Sequence, residues 1–147
     1  VPVLPAIALA AVLLALGVAA GLLLGDGDGA GEVASGRNVV LAPMGPDAAG
    51  AEGTATLEAP GGRATVRLRK APPSEDGQFY GLWLLNSPDD VLALGSFSVP
   101  ASGAIDVTVP LPEDAGRFTA LDVSLEPDDG DPAHSTVSVL RAPLQGG

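Results

Sequence analysis

The chain has 147 residues, with 7 Lys or Arg against 18 Asp or Glu and a formal net charge of −11. It has no cysteine and a single histidine, which excludes disulfides, thiolate metal sites and cysteine nucleophiles within these residues. Such acidity argues against nucleic acid as a partner, because phosphate neutralisation needs clustered Lys and Arg.

The charge is unevenly placed: residues 1–25 carry none. The run Ala6 to Leu24 (AIALAAVLLALGVAAGLLL) has no strongly polar side chain, and at about 1.5 Å rise per residue it would span a bilayer's hydrocarbon as one helix. Pro2 and Pro5 stand before it, where helices tolerate proline, and Gly25 ends it. A cleaved signal peptide would have a shorter apolar region and an Ala-x-Ala site, so the run reads as a transmembrane helix over residues 1–25. Asp26, Asp28 and Glu32 follow it with no basic residue before Arg37, which places the C-terminal part on the extracytoplasmic side. Gly17, Gly21 and Gly25 share one helical face, a stripe on which another helix could pack. The only methionine is Met44, so the sequence is read as a piece of a longer reading frame.

Residues 26–36 are glycine-rich and acidic and read as a flexible linker. A short apolar run, Asn38 to Leu41, precedes a second loose stretch, Ala42 to Gly53. From Thr54 onward short alternating segments are separated by Gly, Pro and Asp turns, the pattern of an all-β domain. Ala64, Val66 and Leu68 alternate with Thr65, Arg67 and Arg69; Ile105, Val107 and Val109 with Asp106 and Thr108; Leu121, Val123 and Leu125 with Asp122, Ser124 and Glu126. Each predicts a half-buried strand with one polar face. Phe79 to Leu85 (FYGLWLL) is apolar on both faces and predicts a central strand covered on both sides. Trp83 is expected between the sheets, with Leu82 and Leu84 on the strand's other face. Val91 to Val99 and Thr136 to Leu140 complete the set, and Thr54 to Glu58 is expected at an edge. The fold class is all-β, an antiparallel β-sandwich of about seven or eight strands over residues 37–147, preceded by one transmembrane helix.

No residue pattern specifies catalysis, so no catalytic, cofactor-binding or metal site is assigned and no cofactor is implied. His134 lies in an Asp- and Pro-rich turn and reads as a surface loop histidine; no serine sits in a nucleophile elbow. Asp128, Asp129 and Asp131 around Gly130 suggest a hard-cation loop, but the alternating ligands and distal Glu of an EF-hand are missing, so they read as a solvated turn. Asp26 with Asp28 gets the same reading, and the turn pairs Asp89-Asp90 and Glu113-Asp114 read as solubilising acids. Arg63, Arg67, Arg69 and Lys70 form the basic cluster, expected to offset carboxylates on neighbouring strands rather than receive an acidic partner. Tyr80 and Trp83 are expected in the core, not on a binding platform.

Three strings in order, Phe79-Tyr80-Gly81-Leu82-Trp83-Leu84-Leu85, Leu94-Gly95-Ser96-Phe97 and Val123-Ser124-Leu125-Glu126-Pro127 before an acidic Gly turn, resemble the C-terminal domain of anti-sigma-K factors of the RskA type. After Pro127 that family often continues with a Pro-Thr-Gly-like stretch, where this chain has Pro132-Ala133-His134-Ser135-Thr136. The resemblance implies the transmembrane and extracytoplasmic part of a membrane-anchored anti-sigma factor, single-pass in the plasma membrane. Such a protein restrains sigma-dependent transcription and is relieved by regulated proteolysis. The implied partners are a sigma factor, held by a cytoplasmic domain that these residues do not include, the lipid bilayer and membrane proteases. The alternative is a stand-alone membrane-anchored β-sandwich that binds a surface ligand or cell-wall component.

Overall fold

The computed structural model describes residues 36–145, and the expected transmembrane helix and most of the linker lie outside the described residues. Among the described residues no helix is long and apolar enough to cross a membrane. Eight strands follow one another: β1 (Arg37–Pro43), β2 (Glu52–Leu57), β3 (Arg63–Arg69), β4 (Gln78–Ser87), β5 (Asp90–Phe97), β6 (Ile105–Pro110), β7 (Ala120–Pro127) and β8 (Ser138–Pro143). Two single 3-10 turns, Pro46–Ala48 and Ala115–Arg117, are the only helical segments described.

All pairings are antiparallel, in the order β5-β4-β7-β8-β1-β2-β3-β6. The expected sandwich of two sheets is therefore one sheet folded over on itself and rolled towards closure. The fold line is β1: Arg37 to Leu41 pair with β2, while Ala42 and Pro43 pair with β8. At the open side β5 and β6 meet closely, and a Cβ on Gly95 would stand 3.0 Å from Val109 Cγ1.

Alternation places the core as expected on β3 and β7: Ala64, Val66 and Leu68 face inward from one half, Leu121 and Val123 from the other. Leu41, Tyr80, Leu82, Leu84, Phe118 and Leu140 fill the space between, each at most 1 % exposed. Thr54 to Glu58 is not an edge. It forms most of β2, which pairs with β1 on one side and β3 on the other, because the apolar run at Asn38 is itself a strand. The edges are β5 and β6.

Two bulges matter. In β4–β5 Leu82 pairs with Gly95 and Trp83 with Ala93, leaving Leu94 as the extra residue. In β7–β8 Val123 pairs with Leu140 and Ser124 with Ser138, leaving Val139 extra. The second bulge reverses the parity of β8, so Ser138 and Arg141 both come out on the face that carries Asp122.

Candidate functional site

That face of β7 departs most from the sequence reading. Asp122, Ser124 and Glu126 were expected at a solvated surface, yet they are 0 %, 0 % and 3 % exposed. The segment from Asp128 to Val137 that joins β7 to β8 covers them. Trp83 lies on the same outer face and is 7 % exposed, so it is buried under the loop and not between the sheet halves. Leu82 and Leu84 are the residues that point into the core. Strand β4 is thus covered on both sides, as its apolar sequence requires, with a loop as one of the covers.

The cluster has two arms. In the first, the indole lies over Gly81, where a Cβ would come within 2.3 Å of Trp83 Nε1. Trp83 Nε1–H donates to Ser124 Oγ at 2.8 Å, and the Ser124 hydroxyl donates onward to Glu126 Oε1. Glu126 Oε2 accepts the Ser135 backbone N–H at 2.8 Å, and Ser135 Oγ donates to the Leu125 carbonyl at 2.7 Å. In the second arm, Asp122 Oδ1 accepts from Arg141 Nε at 2.7 Å. Asp122 Oδ2 accepts from both His134 Nε2 and Ser138 Oγ at 2.9 Å. The His134 ring meets the Trp83 ring edge-on, with centroids 5.0 Å apart, and joins the arms. Among the described residues no buried side-chain nitrogen or oxygen lacks a partner.

His134 is therefore not an exposed loop histidine: its side chain is only 9 % exposed. The Thr136 backbone N–H donates to Nδ1 at 2.8 Å, so Nδ1 is the acceptor and Nε2 carries the proton given to Asp122. Asp122, His134 and Ser138 are the residue types of a hydrolase triad, but the geometry differs. Ser138 bonds the carboxylate rather than the imidazole, and the only imidazole lone pair is occupied, so no base addresses the serine. What the arrangement does is hold the loop down. Thr136 is held with φ at 67°, a left-handed conformation that costs a β-branched residue about 1–3 kcal/mol and that the surrounding bonds sustain.

The other candidate residues resolve into pairs. Arg63 meets Glu58, Arg67 and Arg69 meet Asp106, and Lys70 meets Glu52, so the basic cluster offsets acids on or next to the two neighbouring strands, β2 and β6. The Asp106 carboxyl is held below the usual range, chiefly by the Arg69 hydrogen bond. Asp90 is held low by the Asn86 amide and then by Arg117, which also pairs with Asp114. Asp129 and Asp131 cap the loop, accepting the N–H groups of Asp131 and Ala133 at 2.9 Å. The Tyr80 hydroxyl donates to the Pro72 carbonyl at 2.8 Å, and burial pushes its pKa up.

Sequence reasoning missed the role of Asp122, Ser124, Glu126, Ser138 and Arg141. One signal was available: a strand apolar on both faces needs an outer cover, and the Asp128 to Val137 segment lies next to it once β7 pairs with β4.

The fold is thus a rolled all-β sheet whose buried polar cluster fastens the loop between β7 and β8. The family described as anti-sigma-K factor RskA, C-terminal, matches residues 4–139, and the chain belongs to that family. No curated protein and no solved structure is significantly similar to the chain. The family is one of anti-sigma factors, which are regulatory proteins.

Proposed function

We propose that the chain is the transmembrane and extracytoplasmic part of a membrane-anchored anti-sigma factor that lowers sigma-dependent transcription until proteolysis relieves it. The observation that carries this reading is the extent of the family match: it begins at Leu4 and runs to Val139, so the apolar run and the β-domain belong to one family unit. The uncharged run Ala6 to Leu24 is long enough to span, and the absence of Lys and Arg before Arg37 favours an outward domain. The sigma factor is bound by a cytoplasmic domain outside these 147 residues. The linker at 26–36 is the segment where a protease makes the first cut, since glycine-rich acidic sequence offers unpaired backbone.

The test is made in cells that carry the complete reading frame. Deleting the frame should raise transcription from the cognate sigma-dependent promoter, and the chain should resist carbonate extraction. Shortening Asp26 to Ser35 stepwise should slow both release of the outer domain and the transcriptional response. Transcription indifferent to the deletion would overturn the reading in favour of a surface-binding domain.

A further inference from the structure

At the end of the domain where β1 begins, the two halves of the sheet part. Strand β1 leaves β8 after Ala42 and runs with β2 towards Arg37, and the gap it opens is a cavity of about 260 Å³. Its floor is apolar and buried, formed by Leu57, Leu84, Leu111 and Phe118, while Arg37 and Gly116 stand exposed at the rim. Arg37 is distinctive in its charge. Every other Lys or Arg of the chain has a carboxylate within 4 Å, but Arg37 has none among the described residues. Its Nη1 donates instead to the Leu144 carbonyl, which holds the guanidinium at the rim, and its other donors have no partner among the described residues.

We propose that this cavity binds a single-chain alkyl carboxylate, the chain on the leucine and phenylalanine floor and the carboxylate on Arg37. The volume is that of roughly eight or nine water-sized groups at ~30 Å³ each, which suits a chain of about eight carbons. A planar guanidinium takes a carboxylate through paired hydrogen bonds. In a domain otherwise rich in acids, the one cation without a carboxylate partner among the described residues is what selects an anion over a neutral amphiphile. The inference stands on the cavity and on Arg37 at its rim, and is independent of the proposed membrane topology.

Octanoate bearing a diazirine on its chain is photolysed with the full 147-residue chain in phosphatidylcholine vesicles, and the labelled peptides are mapped. Labelling is expected in the peptides holding Leu111 to Phe118 and Leu144. Gly116→Phe should abolish it, because Gly116 lines the cavity and a Cβ there would meet no neighbour within 4 Å, which leaves room for a ring at the mouth. Arg37→Gln should lower it about tenfold, as should replacing the probe by its methyl ester, while Arg37→Lys restores part. Unchanged Trp83 emission verifies that each variant is folded. Labelling that ignores Gly116→Phe, that is equal for acid and ester, or that falls mainly outside these peptides would overturn the proposal.

Discussion

Asp122 is the residue on which most of the outer cluster converges, and its burial decides what its loss would do. It is 0 % exposed and accepts from Arg141, His134 and Ser138 at once. Asp122→Ala leaves the guanidinium without its counter-charge and two donors without an acceptor. Breaking a buried ion pair costs about 3–5 kcal/mol, and the lower end applies because Arg141 keeps some access to water. Urea unfolding should show that loss, and removing Arg141 as well should add little, since both changes act on one pair. Tyr80 makes a different, pH-dependent contribution. Burial raises its folded-state pKa above the unfolded value, so the stability it gives is fully present below the unfolded pKa of about 10 and is lost as pH rises through the folded value. Tyr80→Phe should cost about 1 kcal/mol at pH 7 through the lost bond to Pro72 and should flatten the decline in urea midpoint above pH 10.

At the scale of elements, the loop from Asp128 to Val137 behaves as a ninth structural piece. Its own turns are built from side chains: Asp129, Asp131, His134 and Ser135 each accept the N–H two residues on. It is fastened to β7 through Glu126 and Asp122, and it seals Trp83. Gly81→Val should dislodge it. A Cβ there overlaps the indole, so Trp83 must leave Ser124 and lift the cover, at about 1–3 kcal/mol for overpacking. The measurement is tryptophan emission, expected to shift to the red while the β-sheet circular dichroism persists; an unmoved maximum would show that the loop adapts instead. The same element shows where the sequence could and could not be read. Strands β3, β6 and β7 were legible because alternation has a period of two and needs no partner to recognise it. The start of β8 was not, since Thr136 and Val137 are β-formers held in the loop by a left-handed turn and a bulge that leave no mark in composition. The outer face of β7 was misread for a related reason. Asp-x-Ser-x-Glu is an ordinary solvated pattern, and only the later return of Arg141 and His134 by tertiary folding makes it a buried one.

At the scale of the whole molecule, β1 is the piece on which everything else depends, and the sequence understated it most. Asn38 to Leu41 is a brief apolar run before a Gly- and Pro-rich stretch, yet its strand joins the two halves of the sheet. Without it, β2 and β8 each lose a neighbour, the sheet is no longer continuous, and Leu41 leaves the core. This gives a sharp boundary for cutting. A fragment starting at Gly36 keeps all eight strands and should unfold in one cooperative transition with Trp83 emission still to the blue. A fragment starting at Met44 loses β1 together with the Leu41 side chain, whose removal alone is worth about 2–5 kcal/mol against a total of about 5–15 for a typical domain. It should therefore lack a cooperative transition. The two fragments differ by eight residues, and comparing their urea curves by far-ultraviolet dichroism and by fluorescence tests the point directly. Under the proposed mechanism the contrast has a consequence: proteolysis before Gly36 sheds a folded domain, whereas proteolysis that reaches into β1 destroys it. A fragment from Met44 that unfolds as cooperatively as the longer one would mean that β2 and β8 hold their halves together without the shared strand.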